Sequence, residues 1–236
     1  MQGVKKKMSK PATESTLCKV NRILGISDSY EAPAKMMELL LGDSTNRRMI
    51  FHVFLEQFEY DLSYEWFYNY FQDEHADRKN NKQDFTPVCV SNLISEMLNC
   101  KPRDDSYTII EEPAAGTGST IIAHWHKSFR SCRFPWDYRP DDYLYRLTEL
   151  SSKTVPFLLF NVMIRGMNAI VIHGNSLTKE IEAAYWIYNE ENNPMGFSDI
   201  YIIPKERYDF ITGDVQMKNE NKRKKLTLNL DDLLDF

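Results

Sequence analysis

Cys18, Cys89, Cys100 and Cys132 are scattered along these 236 residues, and no two of them form a Cys-x-x-Cys pair. That spacing argues against a structural zinc site and against a disulfide framework. Long apolar runs are missing too. The longest, Val155 to Ile164, is interrupted by Pro156 and Asn161 and falls far short of the ~20 residues a bilayer-spanning helix needs. No apolar stretch follows the lysines of Met1 to Lys10, so no secretory signal is read and a cytoplasmic location is expected. Positive charge is not in excess: the formal net charge is −5, which disfavours non-specific DNA binding through the bulk field. Any contact with DNA must then run through local basic patches or partner subunits. His124 and His126 form a His-x-His, but two residues apart on a helix they point about 200° away from each other. No metal site is expected.

What is present is core material. Hydrophobic residues make up 42% and aromatics 13%, with 27% charged, a composition that excludes disorder throughout. The length suits one α/β domain with a smaller appendage. Residues 1–30, polar and lysine-bearing at the start, read as a flexible arm. Residues 31–82 read as a helical subdomain. A short helix over Ala34 to Leu41 stops at Gly42, Asp43-Ser44-Thr45 supplies caps, and apolar residues recur at three and four spacing from Arg47 to Phe71. That pattern predicts one long helix, or two broken near Asp61-Leu62-Ser63. The charged stretch Asp73 to Lys82 marks the boundary.

The main domain spans residues 83–217. Thr86 is placed to cap a helix with Pro87 at its first position, presenting Phe85 at the helix mouth, and Val90, Leu93, Ile94, Met97 and Leu98 follow at helical spacing. Strands are predicted over Tyr107 to Ile110, Tyr143 to Leu147, Ala169 to Ile172 and Arg207 to Gly213. Helices are predicted over Thr120 to Phe129, from Ser151-Ser152 to Gly166, and over Ile181 to Tyr188. The middle helix is apolar almost all round and should be buried. This order predicts a parallel, doubly wound sheet with right-handed crossovers and ligands at the carboxyl ends of its strands.

The stretch Glu111-Glu112-Pro113-Ala114-Ala115-Gly116-Thr117-Gly118-Ser119 ends the first strand in acid, turns on glycine and opens a helix. Gly116 and Gly118 permit a tight turn and close approach of a ligand to the backbone, while free N–H groups of the helix face an anionic or hydroxyl-bearing guest. Taken alone, a Gly-x-Gly fits an ordinary strand-to-helix turn equally well. Glu149, at the end of the second strand, is placed to accept both hydroxyls of a ribose.

In order, Gln83-Asp84-Phe85-Thr86-Pro87, Glu112 to Ser119, Glu149 and His173-Gly174-Asn175-Ser176-Leu177 resemble the S-adenosylmethionine-binding signatures of DNA adenine methyltransferases. The resemblance is closest to the modification subunit of type I restriction systems. It implies a Rossmann-like methyltransferase fold, preceded by a small helical subdomain and stopping after the fourth strand. It further implies an S-adenosylmethionine site made of Phe85, Thr86, Glu112, Pro113, Ala114, Gly116, Gly118, Glu149, Asn175 and Ser176. Phe85 and Thr86 would border the methionine end and Gly116 and Gly118 would lie under the cofactor. Glu149 would hold the ribose, and Asn175 would face the adenine amino group through its amide oxygen.

The pattern breaks at the fourth strand, where the family has Asn or Asp, Pro, Pro, and Tyr or Phe. Here Asp214-Val215-Gln216-Met217 stands instead. Asp214 retains a polar contact for the target amine and is the candidate catalytic residue. Met217 offers no ring for a flipped base, and Val215-Gln216 lack the rigid φ that aims the carbonyl. Residues 218–236 form a basic and then acidic-apolar tail, read as a solvated loop with an edge strand or as a docking peptide. Three readings stay open at this point. The chain is an active methyltransferase, or a module that binds the cofactor without transfer and serves a restriction-modification complex, or a scaffold without cofactor. The family implies the first and the residues favour the second.

Overall fold

The computed structural model describes residues 14–74, 86–98 and 107–212. It opens with helices. α1 (Thr16–Leu24) is capped by Ser15, whose side chain accepts from the Cys18 N–H. Val20 and Leu24 on α1 are buried, so a helix packed into the core lies within residues 1–30, the stretch expected to be an arm. Leu17, Val20, Ile23 and Leu24 of α1 all pack into the core. α2 (Ala32–Leu41) and α3 (Ser44–Gln57) follow, the latter capped by Asp43 through the Asn46 N–H. Glu59 and Tyr60 then take positive φ, and the chain turns before α4 (Tyr68–Glu74). The long periodic stretch is therefore two helices, and the break between Gln57 and Tyr68 contains Asp61-Leu62-Ser63, the expected place.

Five strands make one open sheet in sequential order. β1 (Thr108–Glu112), β2 (Tyr143–Glu149) and β3 (Ala169–Asn175) are parallel, and β4 (Glu180–Tyr188) and β5 (Asp199–Ile202) continue the sheet antiparallel. α6 (Ser119–Ser131) joins β1 to β2, and α7 (Val155–Ile164) joins β2 to β3. Before β1, α5 (Val88–Met97) packs on α6. The helix expected over Ile181 to Tyr188 is strand β4. Asn175 ties the turn after β3 by accepting from the Leu177 and Thr178 N–H groups through Oδ1 and from Lys179 N–H through its carbonyl. A turn this short returns the chain alongside β3 and leaves no room for a crossover. Tyr185 and Ile187 then face one side of the sheet and Ala184 and Trp186 the other. A short run buried on both sides reads alike as helix or strand, and its aromatic and β-branched residues suit the pleat.

The fourth parallel strand expected over Arg207 to Gly213 is also corrected. Lys205–Arg207 is a 3-10 turn and α8 (Tyr208–Thr212) is helical, while β5 takes the sheet edge. The crossover helices α6 and α7 share one apolar cluster with Tyr143, Tyr145, Leu147 and Val171 and so lie on the same face of the sheet. Ile203 and Ile211 pack on the opposite face against Leu144, Ile170, Ile172 and Trp186. Among the described residues the sheet is thus mixed and has its crossover helices on one side only.

Every residue of α7 is buried, because the sheet lies on one side of it and the N-terminal helices on the other. Phe160 meets Phe51, Phe54 and Phe67 at ring separations of 5.2, 4.5 and 5.4 Å, and Phe157 meets Phe67 and Phe71 at 4.8 and 4.9 Å. One apolar cluster runs from α1 to β4 without a break. The face that α5 buries is made of Ser91 and Ser95, while Leu93 and Met97 are 60% and 76% exposed. Small residues let α5 approach α6, where Ser95 donates to the Ala123 carbonyl and Lys127 donates to the Ser95 carbonyl. Thr86 does not cap this helix: Pro87 occupies the N-cap position, and no side chain bonds there.

This layering sets a stability contrast. Phe160→Ala should lower the unfolding free energy by about 3–5 kcal/mol. Leu93→Ala should change it by less than about 0.5 kcal/mol. Urea denaturation of both variants is the check, and equal effects would contradict the burial of α7.

Candidate functional site

A cleft of ≈ 140 Å³, open to solvent, lies at the carboxyl ends of the three parallel strands. Glu111, Glu112 and Pro113 line it from β1, Arg146 and Thr148 from β2, and Ile172, Asn175 and Ser176 from the end of β3. The β3–β4 turn supplies Lys179, and α8 supplies Ile211. Here β1 and β2 hand the chain to the crossover helices and β3 to the turn into β4, and the strand ends are left open between them.

Arg146 crosses the cleft wall. Its Nη1 donates to Glu111 Oε1 at 2.7 Å and its Nη2 to the Ile211 carbonyl at 2.6 Å, tying β2 to β1 and α8. Burial pushes the Glu112 carboxyl above the ordinary carboxylate range, with the Ala114 N–H pulling the other way. The Asn175 amide oxygen is already taken by two N–H groups of its turn. Reversing the amide would set NH₂ against those N–H groups, so the turn fixes the orientation. The turn does not use Nδ2. An approach to an adenine amine through the amide oxygen, expected from the sequence, meets an acceptor with both lone pairs engaged.

The glycine loop sits beside this cleft. Gly116 and Gly118 have φ of 56° and 100°, values that L side chains rarely adopt. A Cβ on Gly118 would also come within 3.2 Å of Leu158 on α7. Glycine at 118 is therefore favoured by the turn itself before any ligand is considered, and a larger residue would also press on Leu158. Gly118 N–H donates to the Ala115 carbonyl, and Ala115 N–H donates to the Thr148 carbonyl at the end of β2. Glu149 is 7% exposed. Its Oε2 accepts from Gly116 N–H and its Oε1 from Ser151 N–H, both at 2.8 Å. The acid that the sequence assigns to a ribose thus also clamps the loop to the start of the next connection. A carboxylate accepts about four hydrogen bonds, so each oxygen keeps capacity for a further donor.

Of the residues singled out in the sequence, Glu112, Pro113, Asn175 and Ser176 converge on the cleft. Ala114 is exposed, and Gly116, Gly118 and Glu149 form the adjoining loop without lining the cleft. Thr86 lies half-buried ahead of α5, also off the cleft. Phe85 and Asp214-Val215-Gln216-Met217 lie outside the described residues, as do residues 218–236. Sequence reasoning overlooked Arg146, Thr148 and Lys179 in the wall. Arg146 and Thr148 alternate with the buried Leu147 on β2, and polar residues at one face of an otherwise apolar strand were the available signal. It also overlooked a polar group behind the loop. Glu65, Asn161 and Arg165 are all at most 2% exposed, and burial pushes the Glu65 carboxyl up to about 7 and the Arg165 guanidinium down to about 9. Among the described residues no cluster of three or more His, Cys, Asp or Glu is arranged to hold a metal, and no helix is long and apolar enough to cross a membrane.

Two outcomes follow for the ligand-free chain. Glu149→Ala strands two N–H groups bonded to a carboxylate, and each such bond contributes about 1.5–3 kcal/mol. Urea denaturation should show a loss of that order, with Glu149→Gln losing less. Folded Glu65 holds its proton more tightly than the ordinary value of 4.5, so its contribution to stability is full below that value and is lost as pH rises through about 7. The stability of Glu65→Gln relative to the parent chain should therefore improve between about pH 5 and about pH 8, as thermal melts would show.

The sequence model of the N-6 DNA Methylase family matches residues 61–223. No curated protein gives a significant match, and no solved structure does so. The matched span contains the parallel strands, the glycine loop, Glu149 and the Asn175 turn, and extends over Asp214 to Met217. It covers more than half of the chain, which therefore belongs to the N-6 DNA Methylase family of adenine-directed DNA methyltransferases.

Proposed function

We propose that the chain binds S-adenosylmethionine, or its demethylated product, at the strand ends of a Rossmann-like sheet. The supporting observation is the convergence of Glu112 and Pro113 from one strand end with Asn175 and Ser176 from another on a single cleft, beside the Glu149-clamped glycine loop. The set of acceptors and donors suits a nucleoside with a charged substituent. Glu149 has lone pairs left for ribose hydroxyls, Asn175 Nδ2 suits an acceptor on the adenine ring, and Glu112 suits a cationic group. The cleft volume of ≈ 140 Å³ is below the ~300–1,000 Å³ of enclosed ligand pockets. It holds one end of such a ligand, and the rest lies across the exposed loop at Ala114. When bound, the cofactor supplies an electrophilic methyl group; the residues of this chain bind and orient it.

The proposed role follows the type I modification subunit, with DNA contacted through partner subunits. Transfer by the chain alone is weak or absent in this reading, because Asp214-Val215-Gln216-Met217 lacks the prolines and the ring. Losing base stacking costs about 1–3 kcal/mol, and a misaimed carbonyl forfeits positioning on which a ~1 Å error costs about a hundredfold in rate. A second reading, a non-catalytic interaction module of or against a restriction-modification system, is favoured by the exposed Leu93 and Met97 on α5.

Calorimetry with S-adenosylmethionine should give micromolar affinity, roughly −7 to −8 kcal/mol, and absence of heat would overturn the cofactor assignment. Tritium transfer from the cofactor to DNA should be at background for the chain alone. It should rise in a variant carrying Asp214→Asn, Val215→Pro, Gln216→Pro and Met217→Phe. Robust adenine methylation by the unaltered chain would sink the non-transferring reading.

A further inference from the structure

Behind the glycine loop, inside the apolar layer, runs an unbroken polar path. Asn161 is fully buried at the middle of α7, a helix otherwise apolar along its whole length. Its Nδ2 donates to the Thr117 carbonyl at 2.8 Å and to Glu65 Oε1 at 3.0 Å. Its Oδ1 accepts from Arg165 Nη1 at 2.9 Å. Arg165 in turn donates to the Leu62 and Tyr64 carbonyls at 3.1 and 2.7 Å, and its guanidinium lies over the Trp66 ring. Glu65 Oε1 also accepts from the Phe67 N–H at 2.6 Å. The path thus starts in the segment between α3 and α4 and ends on the peptide between the two loop glycines.

We propose that Asn161 and Glu65 are positioning residues for the glycine loop, setting the Thr117–Gly118 peptide from behind and coupling the N-terminal helices to whatever the loop binds. The proposal rests on the cofactor-binding reading for the identity of that ligand. The physical basis is the planarity of the peptide unit. Thr117 carbonyl and Gly118 N–H belong to one plane and point in opposite directions. With the carbonyl held inward by Asn161, the N–H is aimed at the Ala115 carbonyl, which closes the turn. Gly118 at φ 100° has no Cβ to limit its torsions, so an external hold on this peptide is what selects one conformation.

A core built for stability alone would not choose this chemistry. A buried ion pair or polar group is often replaceable by apolar side chains without loss. Here the path also leaves two buried atoms unpaired, Glu65 Oε2 and Thr117 Oγ1. The Thr117 hydroxyl lies near enough to lower the proton affinity of Glu65, yet the two oxygens do not meet in hydrogen-bond geometry. A hydroxyl that donates to a carboxylate favours its ionised form, and the Thr117 side chain acts on Glu65 in that direction, so a closer Thr117 contact and the Glu65 proton oppose each other. Loop geometry and the Glu65 proton are therefore linked, and linkage works in both directions. The other charged or titratable groups around this pair are Arg165 on α7, Asp61 and Tyr64 on the segment that carries Glu65, and His126 on α6, which faces Asp61 and Arg165.

The test needs no ligand in its first arm. The amide ¹H–¹⁵N shifts of Gly116 and Gly118 are followed from about pH 5.5 to about pH 8.5 in the full chain and in Glu65→Gln. They should titrate in the parent chain and lose that titration in Glu65→Gln, which removes the proton without altering the shape of the side chain. His126 stays in both proteins and cancels in the comparison. Identical titrations, or none in the parent chain, overturn the proposal. In the second arm Asn161→Ala should raise hydrogen exchange at Gly118 about tenfold while leaving Ile172 in β3 unchanged, and should weaken S-adenosylhomocysteine binding about tenfold, equivalent to about 1.4 kcal/mol. Equal increases at Gly118 and Ile172 mean general loosening and overturn it. If the parent chain binds no S-adenosylhomocysteine but the Gly118 effects appear, the cofactor reading fails and the positioning role stands. If Asn161→Ala does not fold, the Glu65→Gln titration decides alone.

Discussion

The burial of α7 on all sides is the constraint on which the rest of the protein depends. A helix between a sheet and a layer of helices can be apolar all round, and Val155 to Ile164 is so except at Asn161. Phe157 and Phe160 seat the rings of α3 and the α4 region. Leu158 limits the space behind Gly118. The same helix therefore fixes where the N-terminal helices stand and how closely the glycine loop packs. A helical appendage that merely leaned on the sheet would leave one face of α7 wet. Closing that face draws the polar segment around Glu65 into the interior, where each polar atom left without a hydrogen bond is costly.

In the proposed site, the atoms that would meet a ligand already carry architectural duties. Glu149 holds the Gly116 and Ser151 N–H groups, so the acid proposed to meet a ribose is also the pin that shapes the loop beneath it. Asn175 ties the β3–β4 turn with its oxygen and keeps only its nitrogen for a guest. Arg146 fastens the wall to α8. Such double use gives preorganisation, because the groups that would contact a ligand have their rotamers set before it arrives.

Much of this was legible in the sequence. The first three strands and their crossover helices follow from apolar runs separated by turn residues, and the glycine loop announces itself by its composition. The burial of α7 follows from a run too apolar for a surface helix. The family signatures placed Glu112, Pro113, Asn175 and Ser176 at strand ends, and the carboxyl ends of neighbouring parallel strands lie side by side at one edge of the sheet.

Tertiary structure alone decided the rest. The segment Glu180 to Tyr188 is equally compatible with helix and strand by pattern, and only the short turn pinned by Asn175 and the open edge of β3 made it β4. Tyr208 to Thr212 carries strand-forming residues, yet β4 already occupies the β3 edge and β5 the next, and the segment closes the opposite face as a helix. On α5 the apolar spacing pointed to one face and the packing chose the serine face, because close approach to α6 demands small side chains. The Glu65–Asn161–Thr117 path joins residues 96 and 44 positions apart. Periodicity reports only local neighbours, so a contact formed by closing two layers onto one helix has no local trace beyond a single asparagine in an apolar run.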